Sequence, residues 1–452
     1  MLPPLPVLRQ AIRNSLAAAR AEGHDVEGLP EAVAAAPDSY DALLALAHRV
    51  ADAPLRPDWP HVEPHDLEDI WAECDPARAT EPVAAIPAAE AAARVQAAFL
   101  GSVCGCMLGK PVEVAPTLAE LREALERLGE WPLRDYLSER LNLRGCHAQH
   151  ASAAETWRER LRYVAPDDDI HYTVLGMLAL ERAGRDFTRD DLRELWQMHQ
   201  AIHHTFGPER AVMARIGLHY WGLDHGGLPA TDYREWTHVL NPAGELCGAL
   251  IRADAYGYAC PGHPALAAEL AWRDATMTHR RTGVYGAMFV AAAIAAAFVE
   301  RDRLRVFETA LRYVPRRSRF HHIVADSLEM VRTASDWLEG YARIHGRYRE
   351  HGHCRVHQEC GTLINTLRFA EDVGDGICKQ VSQGNDTDSF GATAGSILGA
   401  YFGPGHLASR WLAPLHDEVR IGLAAFHERS LSALARRMGE LPRRVGAADL
   451  RA

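Results

Sequence analysis

The sequence has no paired cysteine framework. Its nine cysteines are an odd number scattered over 452 residues. That excludes a small disulfide-stapled scaffold and fits free thiols in a reducing compartment, the cytoplasm. There is no basic surplus either. With 49 Lys and Arg against 60 Asp and Glu, the formal net charge is −11, so neither a nucleic-acid coat nor a basic membrane patch is expected. The run Met1-Leu2-Pro3-Pro4-Leu5-Pro6 does not read as a signal peptide, because it carries no basic residue and its prolines interrupt any apolar segment. No Gly-rich phosphate loop occurs, and no alternation of strand-like with helix-like runs. Long β-branched runs are scarce while alanine is abundant, which favours helix. The longest uncharged stretch is Thr282 to Val299, between Arg281 and Glu300, with seven alanines and two glycines. Length alone would let it span a membrane, but a central buried helix is the simpler reading. A chain of this size can bury a large core, as one big domain or two ordinary ones.

What is present centres on Gln383-Gly384-Asn385-Asp386-Thr387-Asp388-Ser389. It runs into a helix-like segment with glycines at 391, 395, 399 and 403. On a helix, that spacing makes one smooth stripe, which lets another backbone come close. Each glycine weakens the helix by roughly 1 kcal/mol, so a tight neighbour is expected. A second such stripe, Gly101, Gly105 and Gly109, ends a helix expected from about Ala89 to Leu108. The two helices could pack against a common neighbour or against each other. Pro111 stops the first one, and Glu113 lies just past its end, where the plain reading is a solvated loop acid.

Asp167-Asp168-Asp169 opens another helix, closed by Gly184. One aspartate suffices to cap a helix. Three adjacent carboxylates repel each other, which favours a bound cation. Around these motifs, residues 1 to 50 read as two or three short helices, and His65 to Cys74 as another. Proline breaks fall at Pro54 to Pro60 and Pro82 to Pro87. We therefore expect a helical N-terminal extension over 1–88 and a main domain over 89–440. Helix is also expected across 118–164, with a loop near Arg144 to Ala151, and across Leu407 to Met438, followed by a loose tail from Pro442. Arg252 is a lone arginine in a small, apolar segment and could pair with Asp254; His279 could cap a helix. His351 to Cys360 is rich in histidine and cysteine, but its spacing fits no standard zinc pattern and it has no matching second half.

The two acidic clusters hold Asp167, Asp168, Asp169, Asp386 and Asp388, with the Ser389 hydroxyl beside them. All-oxygen ligands favour Mg²⁺, Mn²⁺ or Ca²⁺ over zinc. Five carboxylates exceed the needs of one magnesium, and two ions sharing carboxylates balance the charge better. The chemistry of these residues alone stops at metal-assisted hydrolysis.

Over about 95 to 405, these elements resemble, in order, the ADP-ribosylglycohydrolase family. Gly101 to Glu113 is similar to its glycine-rich opening helix. Asp167-Asp168-Asp169 resembles its Thr-Asp-Asp motif, Gly248 to Gly257 its small-residue segment with one arginine, and Thr278-His279 the pair ahead of a long apolar helix. Asp386-Thr387-Asp388-Ser389 resembles its C-terminal metal motif, the most specific of the set. The resemblance implies an all-α orthogonal multi-helix bundle with a binuclear Mg²⁺ (or Mn²⁺) cleft. It implies metal ligands Asp167, Asp168, Asp169, Asp386, Asp388 and Ser389, catalytic roles for Glu113, Asp168 and Asp388, and a substrate contact from His279; Arg252 and Phe390 are further candidate substrate-binding residues. It implies cleavage of the glycosidic bond between ADP-ribose and a protein side chain or small acceptor; we further expect a monomer with no membrane partner. Asp167 in place of threonine, Ile170 in place of a hydroxyl residue, Cys106 in place of a common aspartate and Phe390 in place of a small or polar residue depart from the family pattern. Alternative readings are an N-glycosidase for a small nucleotide or nucleoside, a non-catalytic ADP-ribose binder, and a metal phosphohydrolase.

Overall fold

The structure is a computed structural model, and it describes residues 3–113, 115–143, 145, 151–219 and 230–446. Among these the chain is all-α, with no strand longer than an isolated bridge. The Thr282–Ala297 helix is buried along its whole length. It carries no charge, so no face needs water, and the Asp254–Ala259, Pro264–Ala275, Arg303–Leu311 and Thr387–Phe402 helices pack around it. The central-helix reading of that stretch is therefore correct. The Ala88–Val112 segment has the length and composition to cross a membrane, but most of its apolar part lies inside the fold.

The glycine stripes meet each other. The Ala88–Gly109 and Thr387–Phe402 helices run antiparallel, with Gly101 against Gly395 and Gly105 against Gly391. A Cβ at Gly101 would sit 2.5 Å from the Gly395 carbonyl oxygen, and one at Gly391 would sit 2.6 Å from that of Gly105. No side chain fits between two backbones that close. The pairing fixes the end of one helix against the start of the other, and everything at the site depends on that register.

Ahead of them, the Leu5–Ala21, Leu29–Ala35 and Tyr40–Ala51 helices form a small apolar core of their own with Val26 and Ala53, to which Val239 and Leu240 are added from far along the chain. Ile70, Cys74 and Ile86 belong instead to the main core. The small core is fastened by buried ion pairs. Glu22 accepts from Arg280 Nε at 3.0 Å and Nη2 at 2.5 Å, and Arg281 Nη1 donates to the Glu22 carbonyl at 2.6 Å. Glu63 pairs with Arg281 and Arg319, and Glu245 accepts from Arg319 at 2.5 Å. Burial alone would raise the Glu245 acid, but the Arg319 and Arg281 charges hold it well below the usual carboxylate range. Breaking such a pair from one side leaves an uncompensated buried charge. Glu22→Ala is therefore expected to destabilise this seam by about 3 kcal/mol. Limited proteolysis should then cut near Pro54 to Pro60 at protease levels that leave the parent chain intact.

Two helical expectations fail. Among its described residues, the segment 118–164 is α-helical only over Leu118–Leu128, which Gly129 ends at φ 74°, with a 3₁₀ turn over Ala151–Glu155. Beyond it Leu133, Tyr136, Leu137 and Leu141 are buried from irregular backbone. Most of the loop expected at Arg144 to Ala151 lies outside the described residues. Leu407 to Met438 holds two short 3₁₀ turns and, at its end, the Leu431–Gly439 helix. Residues in left-handed backbone (His416, Asp417 and Ala425) interrupt it. The tail beyond Pro442 is not loose at first: Leu441–Val445 is helical, and Leu441, Pro442 and Val445 are buried.

Candidate metal centre

The antiparallel register brings the C-terminal end of the Ala88–Gly109 helix to the first turn of the Thr387–Phe402 helix. Thr387 Oγ1 donates to the Gly109 carbonyl at 2.8 Å. A tight turn over Lys110–Val112 then carries the chain to Glu113. On the other side, the Asn385 N–H donates to the Pro116 carbonyl at 2.7 Å, and Thr117 bridges to Gly384. Gly384 and Asn385 both take positive φ (79° and 63°) to make that turn. Glu113 and Asp388 are thereby held close to each other.

Asp167 caps the Asp168–Ala183 helix by accepting the Asp169 N–H at 2.9 Å, so the plain capping reading holds for that one residue. It leaves Asp168 and Asp169 in the first turn without a capping task. Asp386 stands at the N-cap of its own helix without capping it through its side chain. Asp167, Asp169, Asp386 and Asp388 are nearly fully buried and Ser389 is buried, while Asp168 and Glu113 are partly exposed. Burial, and then the charges of Glu113, Asp167 and Asp169, push Asp388 well above the usual carboxylate range. Burial followed by the Asp167 charge does the same to Asp168 and Asp169. Glu113 is pushed up to about 7, by burial first and then by Asp386 and Asp167. Asp169 Oδ1, Asp386 Oδ1 and Glu359 Oε2 are buried with no hydrogen-bond partner. Carboxylates in this condition call for a cation.

The donor set is not all oxygen. Cys106 with Asp167 and Asp169, and Cys247 with Cys354 and Asp386, each present donor atoms within 4.8 Å of one another. Two Cys/Asp clusters, one on each acidic motif, are consistent with a binuclear centre. A cavity of about 810 Å³ lies elsewhere, between the extension and the main domain, lined by Glu22, His24, His65, Arg189 and His238 among others. Volume alone would favour it as the site. The converging, unpartnered carboxylates favour the acidic centre instead.

Lys110, one of two lysines in the chain, is buried and ion-paired with Asp167. Burial opposes its charge, but Asp167 and Asp388 outweigh that and keep it protonated. For Asp167, too, burial would raise the acid, and the Lys110 charge holds it below its ordinary value. The extra carboxylate at position 167 thus comes with its own counter-ion. Lys110→Met should destabilise the metal-free protein by about 3–5 kcal/mol. Lys110→Met with Asp167→Thr should regain most of that loss, as urea unfolding in EDTA would show. Additive losses would mean that the two residues do not form a unit.

A family profile described as ADP-ribosylglycohydrolase matches residues 87–446. The chain belongs to the ADP-ribosylglycohydrolase family. Its fold is also similar to a solved structure described as "ADP-ribosylglycohydrolase-related protein complex", at 20% identity and a TM-score of 0.52, covering 79% of this chain and 99% of that one. Comparison with curated proteins gave no match. Membership in this hydrolase family, together with the clustered donors, supports an enzymatic role.

The three candidate substrate-binding residues Arg252, His279 and Phe390 lie in the interior. Arg252 does not pair with Asp254. It pairs with Glu209 and Asp274, 43 and 22 residues away in sequence, and donates to Thr278 Oγ1 at 2.7 Å. Asp254 instead takes hydroxyls from Ser396 and Ser102 on the two glycine-striped helices. His279 Nε2 accepts the Ala249 N–H at 3.2 Å, and its Nδ1 meets Thr278 Oγ1 at 2.7 Å. Phe390 is buried in the main core. Arg252 and His279 therefore brace the segment that carries Cys247 to Ala249. Sequence reasoning passed over Lys110, Glu209 and Cys247, and met Cys354 and Glu359 only inside the run His351 to Cys360. Lysine scarcity could have flagged Lys110.

Proposed function

We propose that the protein is a metal-dependent glycosidase that cleaves the bond between ADP-ribose and its acceptor, releasing free ADP-ribose. One observation carries this reading: two acidic motifs about 220 residues apart meet at one helix junction and leave buried carboxylate oxygens unpartnered. Those oxygens fit Mg²⁺ or Mn²⁺, which Asp168, Asp169, Asp386 and Asp388 would hold, with the Ser389 hydroxyl and Asp167 beside them. Bound there, the ions would supply Lewis acidity and fixed positions for ribose hydroxyls and a water. Cleavage at the anomeric carbon has an oxocarbenium-like transition state, and the carboxylate cluster stabilises positive charge developing there. Glu113, partly exposed and held against Asp388, takes the proton from the attacking water.

The test is product analysis after incubation with peptides ADP-ribosylated on arginine or serine, and with small ADP-ribosyl and nucleoside glycosides, in Mg²⁺ and in EDTA. Metal-dependent release of ADP-ribose from a peptide is the expected result. Cleavage confined to small glycosides would assign a nucleotide or nucleoside substrate. Release of phosphate without ribose would overturn the reading. Glu113→Gln should slow turnover by about 10²–10⁴-fold while Mn²⁺ affinity in calorimetry stays near that of the parent. Unchanged turnover would make Glu113 a loop acid.

A further inference from the structure

We propose that Cys247, Cys354 and Asp386 form a binding site for a thiophilic divalent cation such as Zn²⁺, beside the oxygen-lined centre, with the Glu359 carboxylate completing the set. The inference rests on reading Asp386 as a metal ligand and goes beyond it in naming the second kind of donor and ion.

The three donors come from separate parts of the chain. Cys247 begins a 3₁₀ turn that Arg252 and His279 brace from behind. Cys354 stands two residues ahead of the Val356–Phe369 helix. Asp386 precedes the Thr387–Phe402 helix. A backbone bridge between Leu246 and Arg355 sets the two cysteines side by side, and their sulfurs lie within 4.8 Å of each other. Cys247 Sγ donates to Asp386 Oδ2 at 3.2 Å. All three donor atoms lie within 4.8 Å of one another, a spread that one ion at ordinary metal–sulfur and metal–oxygen distances can draw together.

Two further atoms call for a cation at this place. Asp386 Oδ1 has no partner, and neither has Glu359 Oε2, on residues that are 1% and 2% exposed. Glu359 is tied to the site because its Oε1 accepts the Asp386 N–H at 2.8 Å. Thiols hydrogen-bonded to a carboxylate leave those two oxygens bare, whereas a cation satisfies both. A hard ion held through one Asp386 oxygen leaves the two neighbouring sulfurs for a second, softer ion, since thiolates select Zn²⁺, Fe²⁺ or Co²⁺ over Mg²⁺. Binding releases the two thiol protons to solvent, so the site gains affinity as pH rises. The cluster at Cys106 differs: it offers one sulfur, and Lys110 already compensates its Asp167.

Co²⁺ titration of the EDTA-treated full-length protein tests the proposal without reference to turnover. The expected result is a thiolate-to-cobalt charge-transfer band that saturates at one equivalent per chain, whatever further cobalt the oxygen-lined centre takes up without a band. Cys247→Ser and Cys354→Ser should each lose the band, and Cys106→Ala and Asp168→Asn should keep it. Because a serine variant can fail to fold, the parent protein is also alkylated with iodoacetamide, with and without Zn²⁺. Zinc should slow modification of Cys247 and Cys354 more than tenfold. Cobalt binding without the band, a band that survives both serine variants, a band lost with Cys106, unaltered alkylation in zinc, or a Cys247–Cys354 disulfide in the purified protein would each overturn the assignment. A failure to release ADP-ribose would leave every one of these readings unaffected.

Discussion

Asp388→Ala is expected to abolish turnover and to lower Mn²⁺ affinity by more than about 100-fold, above the 10–100-fold usual for a residue that only supports a metal ligand. Asp168→Ala should behave alike. The stability of the metal-free protein distinguishes this account from a purely structural one. Asp388 lies nearly fully buried among the charges of Glu113, Asp167, Asp169 and Asp386. Its hydrogen bond from protein is the Ser389 N–H at 2.9 Å, and its helix is not capped through it. Removing a carboxylate from such a cluster relieves repulsion and desolvation together. In EDTA the Asp388→Ala protein should therefore unfold at the same urea concentration as its parent or a higher one. With saturating Mn²⁺ the order should reverse, because only the parent gains binding free energy. A structural acid would instead lower stability in both buffers and leave turnover in place.

The second large effect concerns an alanine. Gly391→Ala places a Cβ 2.6 Å from the carbonyl oxygen and 3.0 Å from the carbonyl carbon of Gly105. Both are backbone atoms of a helix that is itself buried, so neither side has a flexible group to yield. Overpacking of this kind costs about 3 kcal/mol or more. It also forces the helices apart at the point that positions Asp388 against Glu113, so Mn²⁺ affinity should fall along with stability. Gly346→Ala is the control. That glycine lies inside the Trp337–Tyr348 helix with open space where its Cβ would go. The same chemical change should there stabilise by about 1 kcal/mol. If Gly391→Ala were as well tolerated as Gly346→Ala in urea unfolding, the close helix contact would not determine the register of the site.

That contact was legible in the sequence because a four-residue glycine repeat has few other uses in a helix. The acidic motifs were legible because three adjacent aspartates are more than a cap requires. The uncharged stretch from Thr282 read correctly as the central helix for an equally local reason. What stayed hidden depends on residues far apart in the chain. Lys110 and Asp167 are 57 positions apart, and nothing near either one announces the pair. Arg252 had a plausible partner two residues away in Asp254, yet the fold supplies Glu209 and Asp274 instead. The helices expected across 118–164 and Leu407 to Met438 failed because amphipathic spacing marks burial, and irregular backbone can bury the same residues where Gly129, His416 or Asp417 turns the chain. Cys354 was noticed only as part of a weak zinc motif with its histidines. Its partners, Cys247 and Asp386, come from other segments.

The most direct test of the account is diffraction from crystals grown with Mn²⁺, with data collected at the manganese absorption edge. We predict anomalous density between the two acidic motifs, within coordination distance of Asp168 and Asp388. Crystals that show no manganese there, from protein that releases ADP-ribose equally well in EDTA, would contradict the claim that the two motifs meet to build a metal centre.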